Sequence, residues 1–201
     1  MPRNGNTNFW FAYSQGPAAF VSMDTELPYA PGSEQYAYLD AALAAARANP
    51  ATPWVCLVLH RPIYSADIAG GDNYAPPTAL SAALESLLQR HAVDVVWQGH
   101  MHVAERSAAA FNGTVVDLPD ASNKYASPRA PIYITQATSG ADLDFDKWLT
   151  PAPAWSLVRD TYYGYGRLRF STASGMRILS YEAVATNGTV LDAWSVEKPA
   201  Q

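Results

Sequence analysis

The residues in this sequence whose types and spacing suit chemistry are histidines. His100 and His102 flank one residue in Gly99-His100-Met101-His102, and His60 opens the run His60-Arg61-Pro62. Neutral imidazole is a good ligand for zinc and iron, so three histidines held near one another are a credible half of a metal site. Position strengthens this reading more than number does. His60 follows the apolar run Trp54–Leu59, and the Gly-His-Met-His segment follows Val93–Trp97. Both runs read as short buried strands, and in open α/β sheets ligands collect at the carboxyl ends of strands. One histidine in a loop is ordinarily structural; three at two consecutive strand ends are better explained as ligands. On an irregular loop, His100 and His102 can diverge towards two different metals. Gly99 is expected to let the backbone turn sharply there, and Pro62 to stop the sheet after His60. His91 is different. It closes a helical segment, where a cation suits the helix dipole, and reads as structural.

The elements that must position these residues follow from periodicity and punctuation. Asn8–Ser14 and Ala19–Met23 read as strands separated by Gly16-Pro17. A helix is predicted over Glu34–Ala48, with Ser33 as N-cap and Tyr36, Leu39, Leu43 and Ala46 at helical spacing. Ser65–Pro77 is loop, and a second helix is predicted over Thr78–His91, with Leu80, Leu84, Leu87 and Leu88 on one face. Further on, Asp117–Arg129 reads as a polar loop, Ile132–Gln136 as a strand and Ser139–Pro153 as irregular. Three strands close the chain, Tyr165–Ser171, Met176–Val184 and Thr189–Val196, joined by Ser174-Gly175 and Asn187-Gly188 turns. No internal repeat or linker divides residues 1–201, whose length fits one domain or a large part of a bigger one.

Composition narrows the function classes. With 49% hydrophobic and 15% charged residues, the chain can build a core and is not a disordered sequence. A formal charge of -5 without like-charge runs argues against nucleic acid or an anionic membrane as the main partner. No apolar run is long enough to span a bilayer, and the polar start Met1–Asn6 does not resemble a signal peptide. The single cysteine, Cys56, rules out an internal disulfide and reads as a core side chain. Asn112-Gly113-Thr114 and Asn187-Gly188-Thr189 are N-glycosylation acceptors in turn-like sequence, which favours the secretory route.

The ordered set Leu59-His60-Arg61-Pro62-Ile63-Tyr64, Val93-Asp94-Val95-Val96 and Gly99-His100-Met101-His102-Val103-Ala104-Glu105-Arg106 resembles the purple acid phosphatases, among the calcineurin-like metallophosphoesterases. Pro131–Ile134, Gly140-Ala141, Trp155-Ser156 with Arg159, Gly164–Leu168 and Asp192-Ala193-Trp194 extend the resemblance over nearly the whole chain. It implies an α/β fold, the C-terminal half of an α/β/β/α sandwich with helices outside two packed sheets. It further implies hydrolysis of small phosphate monoesters at a binuclear centre of Fe(III) and a divalent metal (Zn, Fe or Mn). His60 and His100 would serve the divalent site and His102 the iron, with a metal-held hydroxide attacking phosphorus in line. A secreted or vacuolar location follows from the same resemblance. Glu105 and Arg106 would support the metal loop by hydrogen bonding, or form a surface ion pair.

The family's carboxylate ligands, its Gly-Asp-x-x-Tyr segment and its Gly-Asn-His-Glu segment have no counterpart in these residues. Without a bridging aspartate, bringing two cations together is costly. The resemblance therefore implies that these residues alone are poorly stable and nearly inactive. It also implies that they stay colourless with iron, because the family's colour comes from a tyrosinate in the absent segment. Asp67 and Asp72, in the loop after His60, are expected to be solvated carboxylates, and no general acid is assigned. Two other readings stand beside the phosphatase: a non-catalytic metal-binding or interaction domain, and a phosphodiesterase or nucleotide pyrophosphatase on the same fold.

Overall fold

The computed structural model describes residues 8–145 and 147–200; the polar start Met1–Asn6 lies outside them. The first two strands, β1 (Phe11–Gln15) and β2 (Ala18–Ser22), form a hairpin across Gly16. Helix α1 (Glu34–Ala48) follows, then β3 (Trp54–Val58), α2 (Ala79–Arg90) and β4 (Val95–Gln98). Next come β5 (Ala104–Phe111), β6 (Thr114–Asp117), β7 (Lys124–Ala126), β8 (Ile132–Gln136) and β9 (Ser156–Asp160). A meander of long strands closes the fold: β10 (Gly164–Ala173), β11 (Met176–Ala185) and β12 (Val190–Pro199).

The strands make two sheets. The larger runs β1-β2-β3-β4-β8-β5-β6, with β9 added to β5. Its centre, β2-β3-β4-β8, is parallel, so these strands end on the same edge. The smaller sheet runs β10-β11-β12-β7. Alternation along each central strand divides the apolar side chains between two cores. On one side Val21, Val55, Leu57 and Val96 pack against Leu39 and Leu43 of α1 and Leu80, Leu84, Leu87 and Leu88 of α2. On the other, Trp54, Cys56, Val95, Ile132 and Ile134 pack against Leu179, Tyr181, Trp194 and Val196 of the small sheet. The described residues thus form three layers, α/β/β. Both helices lie on the large sheet, and the outer helical layer of the expected sandwich is not formed by these residues.

Local chemistry explains the elements. Ser33 Oγ accepts the Tyr36 N–H at 3.1 Å at the start of α1. Thr78 and Ser81 exchange side-chain and backbone bonds at the start of α2, satisfying donors the first helical turn leaves open. Gly166 is needed for sheet packing. A Cβ there would lie 2.7 Å from the Tyr181 ring and 2.8 Å from Trp97, so the sheets approach closely only over a bare backbone.

The expected helices and strands are present, and four further strands, β5, β6, β7 and β9, join them. The polar stretch Asp117–Arg129 contains β7, paired in parallel with β12. Ser156–Asp160 is a strand on β5. The largest difference is β5 itself, an eight-residue strand with seven buried residues that pairs with β8, β6 and β9.

Candidate metal centre

Two loops bring His60 and His100 together. As β3 and β4 end, the Leu59 N–H donates to Trp97 O and the Gly99 N–H to His60 O, both at 2.9 Å. This zips the two strand ends for a further step. The His60 and His100 rings meet edge to face, centroids 4.9 Å apart. Buried Leu59, Met101 and Val103 anchor the loops from below. The sharp turn expected of Gly99 is made instead by His100, which has φ +69°. Gly99 is not left-handed, and a Cβ there would meet His60 O only at an ordinary 3.5 Å. Met101 N–H then donates to Gly99 O and Val103 N–H to Met101 O. These two tight turns send the flanking histidines to different surroundings.

A ring of polar side chains closes on the first pair. His60 Nδ1 lies 3.0 Å from Glu26 Oε1, and Arg61 Nε donates to both oxygens of Glu26 at 2.8 and 3.0 Å. The Arg61 guanidinium above all holds the Glu26 carboxyl down at about 2. His100 Nε2 lies 2.8 Å from Asp72 Oδ2. That contact, more than any other, keeps Asp72 below the usual carboxylate range. Arg61 donates to Tyr74 Oη at 3.0 Å, and the Tyr74 ring stands edge-on to His100. Asp72 is therefore no free loop acid, although it remains partly exposed. Sequence spacing carries no signal for Glu26, which reaches His60 across 34 residues.

His102 faces elsewhere. Its N–H donates to Asp144 Oδ2 at 2.7 Å, and its Nδ1 lies 2.6 Å from Asp142 O. It is thereby held by the irregular segment before β9. Asp67, expected in solvent, is fully buried; burial, with Asp144 nearby, raises its carboxyl to about 6. Glu105 is buried as well. It accepts from Ser65 Oγ at 2.7 Å, Ser156 Oγ at 2.6 Å and the Ala66 N–H at 3.0 Å. Glu105 thus fastens the segment after His60-Arg61-Pro62 to β9, and burial lifts its carboxyl to about 7. Arg106 donates to Asp192 at 2.7 and 3.0 Å and to Tyr125 Oη at 3.1 Å, joining the two sheets. Neither is a surface residue, and they do not pair with each other.

The remaining candidates lie apart from these loops. His91 caps α2, with its N–H on Leu87 O and its Nε2 2.6 Å from Asp40. Asn112 and Asn187 are exposed in the β5–β6 and β11–β12 turns. Cys56 is buried in the inter-sheet core.

A binuclear centre needs more donors than these loops supply. Among the described residues, no three His, Cys, Asp or Glu side chains come together so as to hold a metal ion. His60 and His100 fit as two imidazole donors to one cation, but the carboxylates beside them bond to the imidazoles and bridge no second position. His102 is turned away to Asp142 and Asp144. These residues do not fit a complete binuclear centre on their own.

Parallel strands ending in histidine loops, backed by a second sheet and flanked by helices on the other face, define a metallophosphoesterase-type fold. The chain is similar to the purple acid phosphatases, a family that generally uses a binuclear metal centre. Residues 130–193 match the family model described as iron/zinc purple acid phosphatase-like protein C. Purple acid phosphatase 21 of Arabidopsis thaliana is 33% identical over 168 residues, covering 82% of this chain and 34% of that protein. "Probable inactive purple acid phosphatase 27" of the same plant is 26% identical over 198 residues, covering 98% of this chain and 31% of that protein. The structure of a purple acid phosphatase from yellow lupin (Lupinus luteus) seeds superposes with a TM-score of 0.81 at 22% identity, over 99% of this chain and 34% of that one. The chain therefore spans about a third of the length of these relatives.

Proposed function

We propose that this chain contributes the histidine side of an acid phosphatase centre that hydrolyses small phosphate monoesters. In this reading His60 and His100 are donors to a divalent metal (Zn, Fe or Mn) and His102 is a donor to Fe(III). The observation that supports it is the zipped pair of strand-end loops. Backbone bonds between Leu59 and Trp97 and between Gly99 and His60 fix two imidazoles edge to face at the carboxyl edge of a parallel sheet. The remaining ligands, carboxylates above all, come from outside these 201 residues. Arg61, held between Glu26 and Tyr74 beside the histidines, is the cation placed to receive a phosphoryl oxygen. The glycosylation acceptors Asn112 and Asn187 suit a secreted or vacuolar enzyme.

A second reading has support of its own. The histidines are satisfied by Glu26, Asp72 and Asp142 without any metal, and one relative is named as probably inactive. A non-catalytic domain that keeps the scaffold is consistent with both facts. Metal stoichiometry tests the incomplete-centre reading. After exposure to zinc and iron and then desalting, the purified chain is expected to retain at most one equivalent of metal, lost in His60→Ala or His100→Ala. Two firmly held equivalents would show that these residues close the centre alone.

A further inference from the structure

At the opposite end of β3 from His60, the two sheets splay around a cleft of about 370 Å³. Its walls include Arg47 and Asn49 from the end of α1, Trp54 from the start of β3, Ser127 after β7, Arg177 of β11 and Lys198 of β12. We propose that this cleft is a binding site for a small polyvalent oxyanion such as inorganic phosphate, separate from the histidine loops.

Charge and unused donors carry the inference. Among the described residues, the three cations that line the cleft, Arg47, Arg177 and Lys198, are accompanied by a single carboxylate, the buried Asp94, which pairs with Arg47 and Lys198. Two positive charges are thus in excess, on a chain whose formal charge is -5. Asp94 is already engaged by three donors. It accepts from Arg47 at 2.9 Å, from the Val55 N–H at 2.8 Å and from Lys198. Arg47 is largely consumed by that bond and by the carbonyls of Pro53, His91 and Ala92. It serves as a fixed positive wall. Arg177 is different, since among the described residues its guanidinium has no acidic partner and no hydrogen bond.

Strand register places Arg177 opposite Lys198. Each lies two positions from a buried residue on its own strand, Leu179 on β11 and Val196 on β12. They therefore share the face turned towards the large sheet. Like charges directly opposite on adjacent strands destabilise a sheet unless something negative lies between them. Lys198, also poised over the Trp54 ring at 5.3 Å, keeps N–H donors beyond its bond to Asp94. The Ser127 hydroxyl and the Asn49 amide add neutral donors on the same wall. An oxyanion between Arg177 and Lys198 would neutralise the repelling pair and accept charge-assisted hydrogen bonds from both.

The test is titration of the purified, metal-free chain with inorganic phosphate at constant ionic strength, read by calorimetry and by thermal midpoint. Chloride serves as the ionic control. Saturable binding with a raised midpoint is expected, with affinity falling about tenfold or more in Arg177→Gln, as loss of one charge-assisted donor implies. Without phosphate, Arg177→Gln is expected to melt no lower than the parent, because the substitution relieves repulsion. His60→Ala/His100→Ala is expected to bind phosphate like the parent. Absence of saturable binding, equal affinity in Arg177→Gln, or loss of binding in the double histidine variant would each overturn the proposal.

Discussion

Glu105 sits in the interior with three hydrogen bonds and no cation, and this sets the pH behaviour expected of the chain. Burial raises its folded-state carboxyl to about 7, above the unfolded value of 4.5, and Asp67 shifts in the same direction to about 6. A raised carboxyl contributes stability that is fully present below the unfolded value and is lost as pH rises through the folded one. The thermal midpoint is therefore expected to fall between about pH 4.5 and 7, with a contribution from Glu105 on the order of 3 kcal/mol. Glu105→Gln should flatten most of that fall in a calorimetric pH series. An unchanged slope would show that Glu105 does not carry it. At this scale the placement of His60 and His100 was legible, because the apolar runs before them read as strands and do form neighbouring parallel strands. The acids were not. Glu26 reaches His60 from a loop 34 residues away, and Asp67 sits in a Gly- and Pro-rich stretch that reads as solvent-exposed. The loop is drawn in where Glu105 of β5 bonds Ser65 and Ala66 and where Asp67 bridges to Trp148.

Between elements, the Arg106–Asp192 pair is a polar tie that links β5 of the large sheet to β12 of the small one. Both side chains are nearly buried, 3% and 9% exposed. Removing one partner leaves an unpaired charge in the interior, which typically costs roughly 3–5 kcal/mol. Arg106→Ala should lose about that much in urea unfolding, whereas Arg106→Met/Asp192→Leu should recover a large part of it. If the double variant is as unstable as the single one, packing rather than charge holds the sheets at this point. The same strand shows where element reading stops. Residues 104–111 include Glu, Arg, Ser and a run of alanines, without the alternation of a half-buried strand. They form a strand because three neighbours cover it and because Ser107, Glu105 and Arg106 find partners inside the fold. Helices α1 and α2 were legible for the opposite reason. Each presents one apolar stripe to one sheet and carries its own cap.

For the whole molecule, three layers are built from one continuous set of residues, and the histidine loops lie at the carboxyl edge of the parallel sheet. Among the described residues the architecture positions imidazoles, a paired arginine and a tyrosine, and no three metal-ligating side chains come together. On the proposed reading these loops supply one side of a metal centre, and turnover needs the other side. The direct measurement of that claim is turnover of a phosphate monoester by the purified 201-residue chain, supplied with iron and zinc, against the His60→Ala/His100→Ala/His102→Ala variant. The two rates are expected to be equal within error. Robust turnover by the parent chain, lost in the triple variant, would contradict it.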